Sequence, residues 1–147
     1  MTQTYSKQQP DPIRAPQFYA SVPTKRFLAW LIDTAITFAL VMVIIPFTAF
    51  TGLFFLPFLI FVISFAYRTL TISSRSATWG MRIMSIELRD ARGERFDFSQ
   101  AFMHTLGFTI SMAFVLIQVV SVVMMMGSAR GQSLTDMALG SVMINRR

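Results

Sequence analysis

The sequence lacks cysteine and has a single histidine in its 147 residues. Without cysteine there are no disulfide bonds, iron–sulfur clusters or thiolate chemistry. One histidine and few acids are a poor ligand set, so we expect no metal site and no cofactor. Phosphate loops, GxSxG, HExxH and CxxC motifs are also absent, and we therefore expect no enzymatic activity.

Charged residues are scarce as well. They make up 14% of the chain, against about 25% in a typical soluble domain. Hydrophobic residues make up 54%, more than a soluble protein of this length could bury. The net charge of +6 comes from basic residues that flank apolar segments. We therefore expect an integral membrane protein that contacts anionic lipids and does not bind nucleic acid.

The first half of the chain predicts a tail and a helical hairpin. Residues 1–23 are polar, contain four prolines and predict a flexible or extended tail. Apolar segments at about 27–45 and 53–67 each approach the ~20 residues that span a bilayer, so they predict two membrane helices. Tyr67 and Arg68 predict the end of the second helix, as an interfacial aromatic residue and a snorkelling cation.

Residues 68–100 differ from the segments around them. They carry six arginines and four acids, which predicts a small structured loop on the cytoplasmic membrane surface. The alternation of apolar and polar residues in IMSIEL predicts a short strand within this loop. Asp97 or Ser99 is predicted to cap the helix that follows. Near the C-terminus, residues 134–139 predict a short interfacial helix.

A third apolar segment, at about 101–126, leaves two topologies open. Its 26 residues exceed one span and are too few for two. The basic tail and the 68–100 loop belong on the cytoplasmic side, together with the N-terminus. Arg130 and the two terminal arginines also favour that side, which requires a re-entrant third segment. Segment length favours a single crossing instead, and we prefer three crossings.

Asp33 lies inside the first apolar segment. An ionised carboxylate that faces lipid costs about 2.5–3.5 kcal/mol on insertion scales, so Asp33 should face protein or water. Arg26 lies on the same helical face about 10 Å away along the axis, too far for direct contact. Asp33 is either an ion, proton or ligand site or a group that fixes helix packing. The single histidine, His104, predicts a snorkelling interfacial residue.

Three stretches together carry a family resemblance: KRFLAWLID, TWGMRIMSIELRDARGERFDFSQA and GQSLTDMALGSVMI. They resemble the RDD family of bacterial membrane proteins over residues 25–144. This family is named for an arginine and an aspartate in its first membrane helix and for a later aspartate. Arg26, Asp33 and Asp136 match these three in type and order. We therefore assign residues 24–147 to an RDD-like membrane domain.

The loop between the second and third segments also resembles that family. Thr78, Gly80 and Arg82 match its T-x-G-x-R motif. Two positions depart from it: Thr135 stands where the family often has histidine, and His104 stands where it often has arginine. Roles that need a basic or titrating group at these two positions are therefore not carried over.

The resemblance implies a multi-pass protein of the bacterial inner membrane, and transport is the function suggested for the family. Asp33 would handle the ion or proton, Arg26 would be its electrostatic partner and Asp136 a gate or second carboxylate. The small size of the chain favours a homo-oligomer. The alternative is a non-catalytic accessory or assembly subunit of a larger membrane complex, for which the polar tail also argues.

The two topologies differ in where they place Asp136. With a re-entrant third segment, Asp136 is cytoplasmic and can join Arg26 and Asp33 in one electrostatic cluster. With three crossings, Asp136 is outside, and Arg26 cannot reach it across a core of ~30 Å. The cluster hypothesis and the re-entrant segment therefore depend on each other.

Overall fold

The computed structural model describes residues 9–146, which are mostly helical. Two short 3₁₀ turns, Pro16–Phe18 and Thr51–Phe55, precede the two long helices. The remaining elements, in chain order, are α1 (Val22–Phe47), α2 (Leu56–Arg75), α3 (Trp79–Ile83), β1 (Ile86–Arg89), α4 (Phe98–Ala113), α5 (Val115–Gly127), α6 (Leu134–Leu139) and β2 (Val142–Asn145).

Helices α1 and α2 form the predicted hairpin. Both are long and apolar enough to cross a membrane. Their outer surfaces expose large apolar side chains, among them Phe38, Phe58 and Phe61, as lipid-facing helices do. Residues 34–66, which contain the turn of the hairpin, include no charged residue. The described charges therefore belong to the opposite end of the hairpin and to the segments attached there.

The end of α2 corrects one prediction. Tyr67 and Arg68 are buried rather than interfacial, because the helix continues for about two more turns, to Arg75. Ser76 ends the helix in the left-handed region, with φ of 58°, and its N–H donates to the Ile72 carbonyl oxygen at 2.7 Å. The polar stretch RTLTISSR thus includes a helix face that packs against protein.

The third apolar segment consists of two helices instead of one. Helices α4 and α5 meet at Phe114, where their axes are bent by 117°. Asp97, one of the two predicted caps, begins α4 by accepting a hydrogen bond from the Gln100 N–H at 2.8 Å. A bend of this size turns the chain back after α4, so the segment does not continue as one straight span.

A two-stranded sheet fixes where the bent segment ends. Strands β1 and β2 pair antiparallel, with Ile86 opposite Asn145 and Arg89 opposite Val142. Strand β1 leads into α4, and β2 follows α5 and α6. The pairing therefore brings both ends of the third segment to the same end of the hairpin. This arrangement favours a re-entrant third segment over the single straight crossing on which the preference for three crossings was based.

A packed core lies at this end of the hairpin. It joins α1, α2, β1 and α4 through buried apolar side chains, including Ala29, Ile72, Ile86 and Ala101. The predicted flexible tail, residues 1–23, lies partly outside the described residues. In its described part, Tyr19 is buried and packs in a second small cluster with Val142 and Ile144 of β2.

Candidate functional site

Two buried aspartates lie in the packed end of the hairpin. Asp33 is 3% exposed and Asp136 is 0% exposed. Each lies beside an arginine, because a buried carboxylate without a partner is very costly. The two sites are supplied by different elements, and their geometry differs.

At the first site, α1 supplies the carboxylate and α2 and α3 supply its partners. Asp33 Oδ1 accepts hydrogen bonds from the Tyr67 hydroxyl at 2.8 Å and the Gly80 N–H at 2.9 Å. Asp33 Oδ2 accepts one from the Thr78 hydroxyl at 2.6 Å. Arg68 Nη1 lies 3.5 Å from Oδ2. The carboxylate is thus held by three neutral donors and one cation.

The charged partner of Asp33 is therefore Arg68, whereas the sequence predicted Arg26. Arg68 comes from the neighbouring helix α2 and lies at the same depth as Asp33. Arg26 lies about two turns away along α1 itself, and it pairs with a different carboxylate. Nothing in the local sequence distinguishes Arg68 from an ordinary interfacial arginine, so sequence reasoning missed it.

Two residues of the predicted loop motif build the first site. Thr78 is the N-cap of α3: its hydroxyl accepts a hydrogen bond from the Met81 N–H at 3.2 Å while it donates to Asp33. Gly80 leaves no room for a side chain, because an added Cβ would lie 2.3 Å from the Ala29 carbonyl oxygen and 2.7 Å from Asp33 Oδ1. The third motif residue, Arg82, contacts neither carboxylate among the described residues.

Arg68 is loosely held for a buried cation. Its guanidinium lies over the Phe108 ring, 3.9 Å from the centroid, and such stacking favours arginine. Its Nε is buried without a hydrogen-bond partner among the described residues. Among the described residues, one ion pair and one aromatic face hold Arg68, without a network of hydrogen bonds.

At the second site, Asp136 is held tightly. Its Oδ2 lies 2.5 Å from Arg26 Nη1 and accepts the Ser133 N–H at 3.1 Å. Its Oδ1 lies 3.2 Å from His104 Nε2 and accepts the Ser141 hydroxyl at 3.0 Å. His104 is buried, so its predicted interfacial position was wrong. Arg26 and Asp136 thus pair as the cluster hypothesis requires, but Asp33 lies in a separate cluster with Arg68.

The second site anchors the C-terminal segment to α1 and α4. Ser133 and Asp136 form a capping box that begins α6, and Arg26 also donates to the Gly131 carbonyl oxygen at 3.2 Å. Burial alone would raise the pKa of Asp136, but the charge of Arg26 and the hydrogen bond from His104 hold that pKa well below its ordinary value. The carboxylate is therefore ionised and fixed.

Two cavities meet at the Asp33–Arg68 pair. The larger, of about 580 Å³, lies against α1, α4 and α5, and its wall includes several methionines. The smaller, of about 260 Å³, lies between α1, α2 and α4. Both walls include Asp33 and Arg68. Hydroxyl groups continue the polar lining of the smaller cavity, from Thr34, Thr37, Ser64 and Thr109.

Within residues 9–146, no three histidines and acids lie close enough together to hold a metal ion. A comparison with protein families matches residues 20–140 to the RDD family. No curated protein and no solved structure is significantly similar to the chain. The matched region contains both aspartates, both of their arginines and the loop motif.

Proposed function

The chain belongs to the RDD family of membrane proteins, and from that premise we propose that it transports an ion or a proton through Asp33. The observation that carries the proposal is the position of the Asp33–Arg68 pair in the walls of two cavities. An ionisable residue within a membrane helix is costly, and such residues usually mark ion paths or proton relays.

Asp33 can bind a cation without losing its support. The hydroxyls of Tyr67 and Thr78 and the N–H of Gly80 hold the carboxylate whether or not Arg68 remains. The 3.5 Å separation from Arg68 Nη1 exceeds the ~2.7–2.9 Å of a strong charge-assisted hydrogen bond. A proton or metal cation that reaches the carboxylate therefore competes with a weakly held partner.

Displacement of Arg68 supplies the step that links the two cavities. When Asp33 is neutralised, Arg68 loses its only ionic partner among the described residues. Its side chain already lines both cavities, so a change of its rotamer alters the partition between them. Binding at Asp33 and opening of the path are thereby coupled through one side chain.

Flux measurements with matched variants test the transport proposal. Purified protein in liposomes is given a proton or sodium gradient, and dissipation is followed with a pH-sensitive or sodium-sensitive dye. We expect wild-type flux above protein-free liposomes and a fall to that background in Asp33→Asn. The control is Asp97→Asn, since Asp97 is exposed and asparagine caps helices as well as aspartate. Unchanged flux in Asp33→Asn, or no flux from wild type, contradicts the proposal.

We also propose that the protein lies in a bacterial inner membrane with both termini cytoplasmic. The argument is the positive-inside rule. The uncharged residues 34–66 contain one turn of the hairpin, and the fold gathers the basic segments at the other end. Cysteine at Ala138 should be protected from a membrane-impermeant thiol reagent in intact cells, and cysteine at Thr51 should be labelled. The reverse pattern contradicts this orientation.

Two assemblies are compatible with so small a chain: a homo-oligomer or an accessory subunit of a larger complex. Purification in mild detergent followed by mass spectrometry separates them. Copies of this chain alone support the transport proposal. Unrelated subunits in fixed stoichiometry support the accessory role, and Asp33 would then serve helix packing.

A further inference from the structure

Arg82 is the one residue of the loop motif that the Asp33 site does not use. It lies on α3, and its Nε is buried without a hydrogen-bond partner among the described residues. Within residues 9–146, no carboxylate forms an ion pair with it. Arg82 is only partly buried, so an acceptor from outside the chain can approach the accessible part of its guanidinium.

Other positive charges surround this group. Burial first, and then the charges of Arg75 and Arg146, lower the pKa of Arg82. Arg75 is exposed in the last turn of α2 and has no ionic partner among the described residues. Arg146 has one acid within reach, Glu87 at 3.8 Å. Cations gathered in this way repel one another unless an anion lies between them.

The same short helix has an apolar outer surface. Trp79 is 52% exposed and Ile83 is 66% exposed, and their spacing of four residues places them on one face of α3. The helix packs on α1 near Ala29, which an added Cβ on Gly80 would strike. Ala29 lies near the start of the apolar part of α1. Helix α3 therefore lies along the first two turns of the apolar part of α1, between the depth of Asp33 and the membrane interface, where tryptophan is enriched.

We propose that Arg75 and Arg82 bind the phosphodiester group of an anionic phospholipid, whose acyl chains pack on Trp79 and Ile83. Phosphate oxygens match the planar fork of arginine and carry the charge that the two cations lack in a partner. The acyl chains would cover the two exposed apolar side chains. This site lies outside both cavities, since neither arginine lines them, so it goes beyond the proposed transport function and does not depend on it.

Fluorescence quenching by brominated lipids tests the proposal. The chain has two tryptophans, so Trp30→Phe in the full-length protein leaves Trp79 as the reporter beside Arg82. The protein is placed in phosphatidylcholine vesicles that contain either brominated phosphatidylglycerol or brominated phosphatidylcholine at equal mole fraction. We expect the apparent affinity for the anionic lipid, measured from the quenching, to be roughly fivefold higher than that for phosphatidylcholine. One or two interfacial cations supply a difference of this size.

Variants assign the preference to named residues. In the double variant Arg75→Gln/Arg82→Gln, both lipids should quench Trp79 about equally. Arg75→Gln alone, at an exposed position, should reduce the preference for the anionic lipid without unfolding the chain. Arg82→Lys keeps the charge and should retain most of the preference. The control is Arg92→Gln, since Arg92 is exposed on the loop after β1 and lies near Asp90.

Competition with soluble phosphate distinguishes a lipid phosphodiester from a free phosphate ion as the ligand of the two arginines. Millimolar inorganic phosphate should leave quenching by the anionic lipid unchanged, because it carries no acyl chains. Reversal by phosphate would make a free anion the ligand and overturn the lipid proposal. Equal quenching of wild type by both lipids, or a preference that survives in the double variant, would overturn it as well.

Discussion

Asp33 and Asp136 are both buried beside an arginine, yet their arginines are held differently. Arg26 lies 2.5 Å from Asp136 and also donates to a backbone carbonyl. Arg68 lies 3.5 Å from Asp33 and leaves its Nε without a partner among the described residues. The first arginine belongs to a hydrogen-bonded network, whereas the second is kept in place by one ion pair and an aromatic ring.

The surroundings of the two carboxylates differ in the same sense. Asp136 forms the capping box of the short helix α6 with Ser133 and joins this helix to α1 and α4, so any movement would detach the C-terminal segment. Asp33 has three neutral donors besides its arginine, and it lines both cavities. The two pairs thus differ in how closely each arginine is held, as its distance from the carboxylate and its remaining partners show.

The largest expected difference lies in the cost of removing each arginine. Arg26→Ala leaves Asp136 buried and ionised and should destabilise the fold by about 3–5 kcal/mol, as other broken buried pairs do. Arg68→Ala should cost less, about 2 kcal/mol, because the neutral donors to Asp33 remain. Unfolding of both variants in detergent, followed by circular dichroism, measures the difference. Equal losses of stability would remove the distinction between the two sites.

Gly80 provides a second way to test the Asp33 site. In Gly80→Ala the new Cβ meets the Ala29 carbonyl oxygen at 2.3 Å, and backbone cannot move aside cheaply. We expect a loss of about 2–3 kcal/mol from this overpacking. In the control Gly127→Ala the Cβ meets nothing within 4 Å, so stability should stay the same or rise by up to ~1 kcal/mol. Similar unfolding midpoints for the two variants would contradict the close packing of α3 on α1.

Thr78 allows a smaller and more selective change at the same site. Thr78→Ala removes both the hydrogen bond to Asp33 and the cap of α3, which should cost about 1–2 kcal/mol. Thr78→Ser keeps the hydroxyl and should cost less than ~1 kcal/mol. Thermal unfolding in the same detergent compares the two. A loss in the serine variant equal to that in alanine would assign the effect to the methyl group instead.

Local patterns were enough to predict the hairpin, strand β1 and the capped start of α4. Each depends on neighbours in sequence: apolar runs of membrane length, an alternation of period two, and an aspartate before a helix. Strand β2 was not predicted, because four residues near the chain end form a strand only when β1, more than 50 residues earlier, pairs with them. Non-local pairing of this kind leaves little local signal.

The same limit explains the errors at the sites. Arg26, Asp33 and Asp136 were identified as the residues of interest, but the partners of the carboxylates come from other elements. Tyr67, Arg68 and His104 resemble interfacial residues when they are considered one at a time. Only the bend at Phe114 and the continuation of α2 bury them. The bend in the third segment was missed for a similar reason: the length of 101–126 was weighed as one straight helix.

The smallest expected effect is on the acid side of the stability profile. Because the pKa of Asp136 in the folded protein lies below its ordinary value of 3.8, its contribution to stability is complete above about pH 4 and is lost as the pH falls further. One such group changes the free energy of unfolding by at most ~1.4 kcal/mol per pH unit.

Asp136→Asn should therefore flatten the profile of stability against pH between about pH 4 and pH 2. Asp90, whose pKa is also lowered through hydrogen bonds that include the Glu94 N–H, leaves a residual slope. The unfolding midpoint is measured against pH for the wild type, whose slope is the reference, and for Asp136→Asn. If Asp136→Asn also keeps that slope, the ion pair with Arg26 is not what stabilises the C-terminal segment, and the contrast between the two aspartates loses its electrostatic basis.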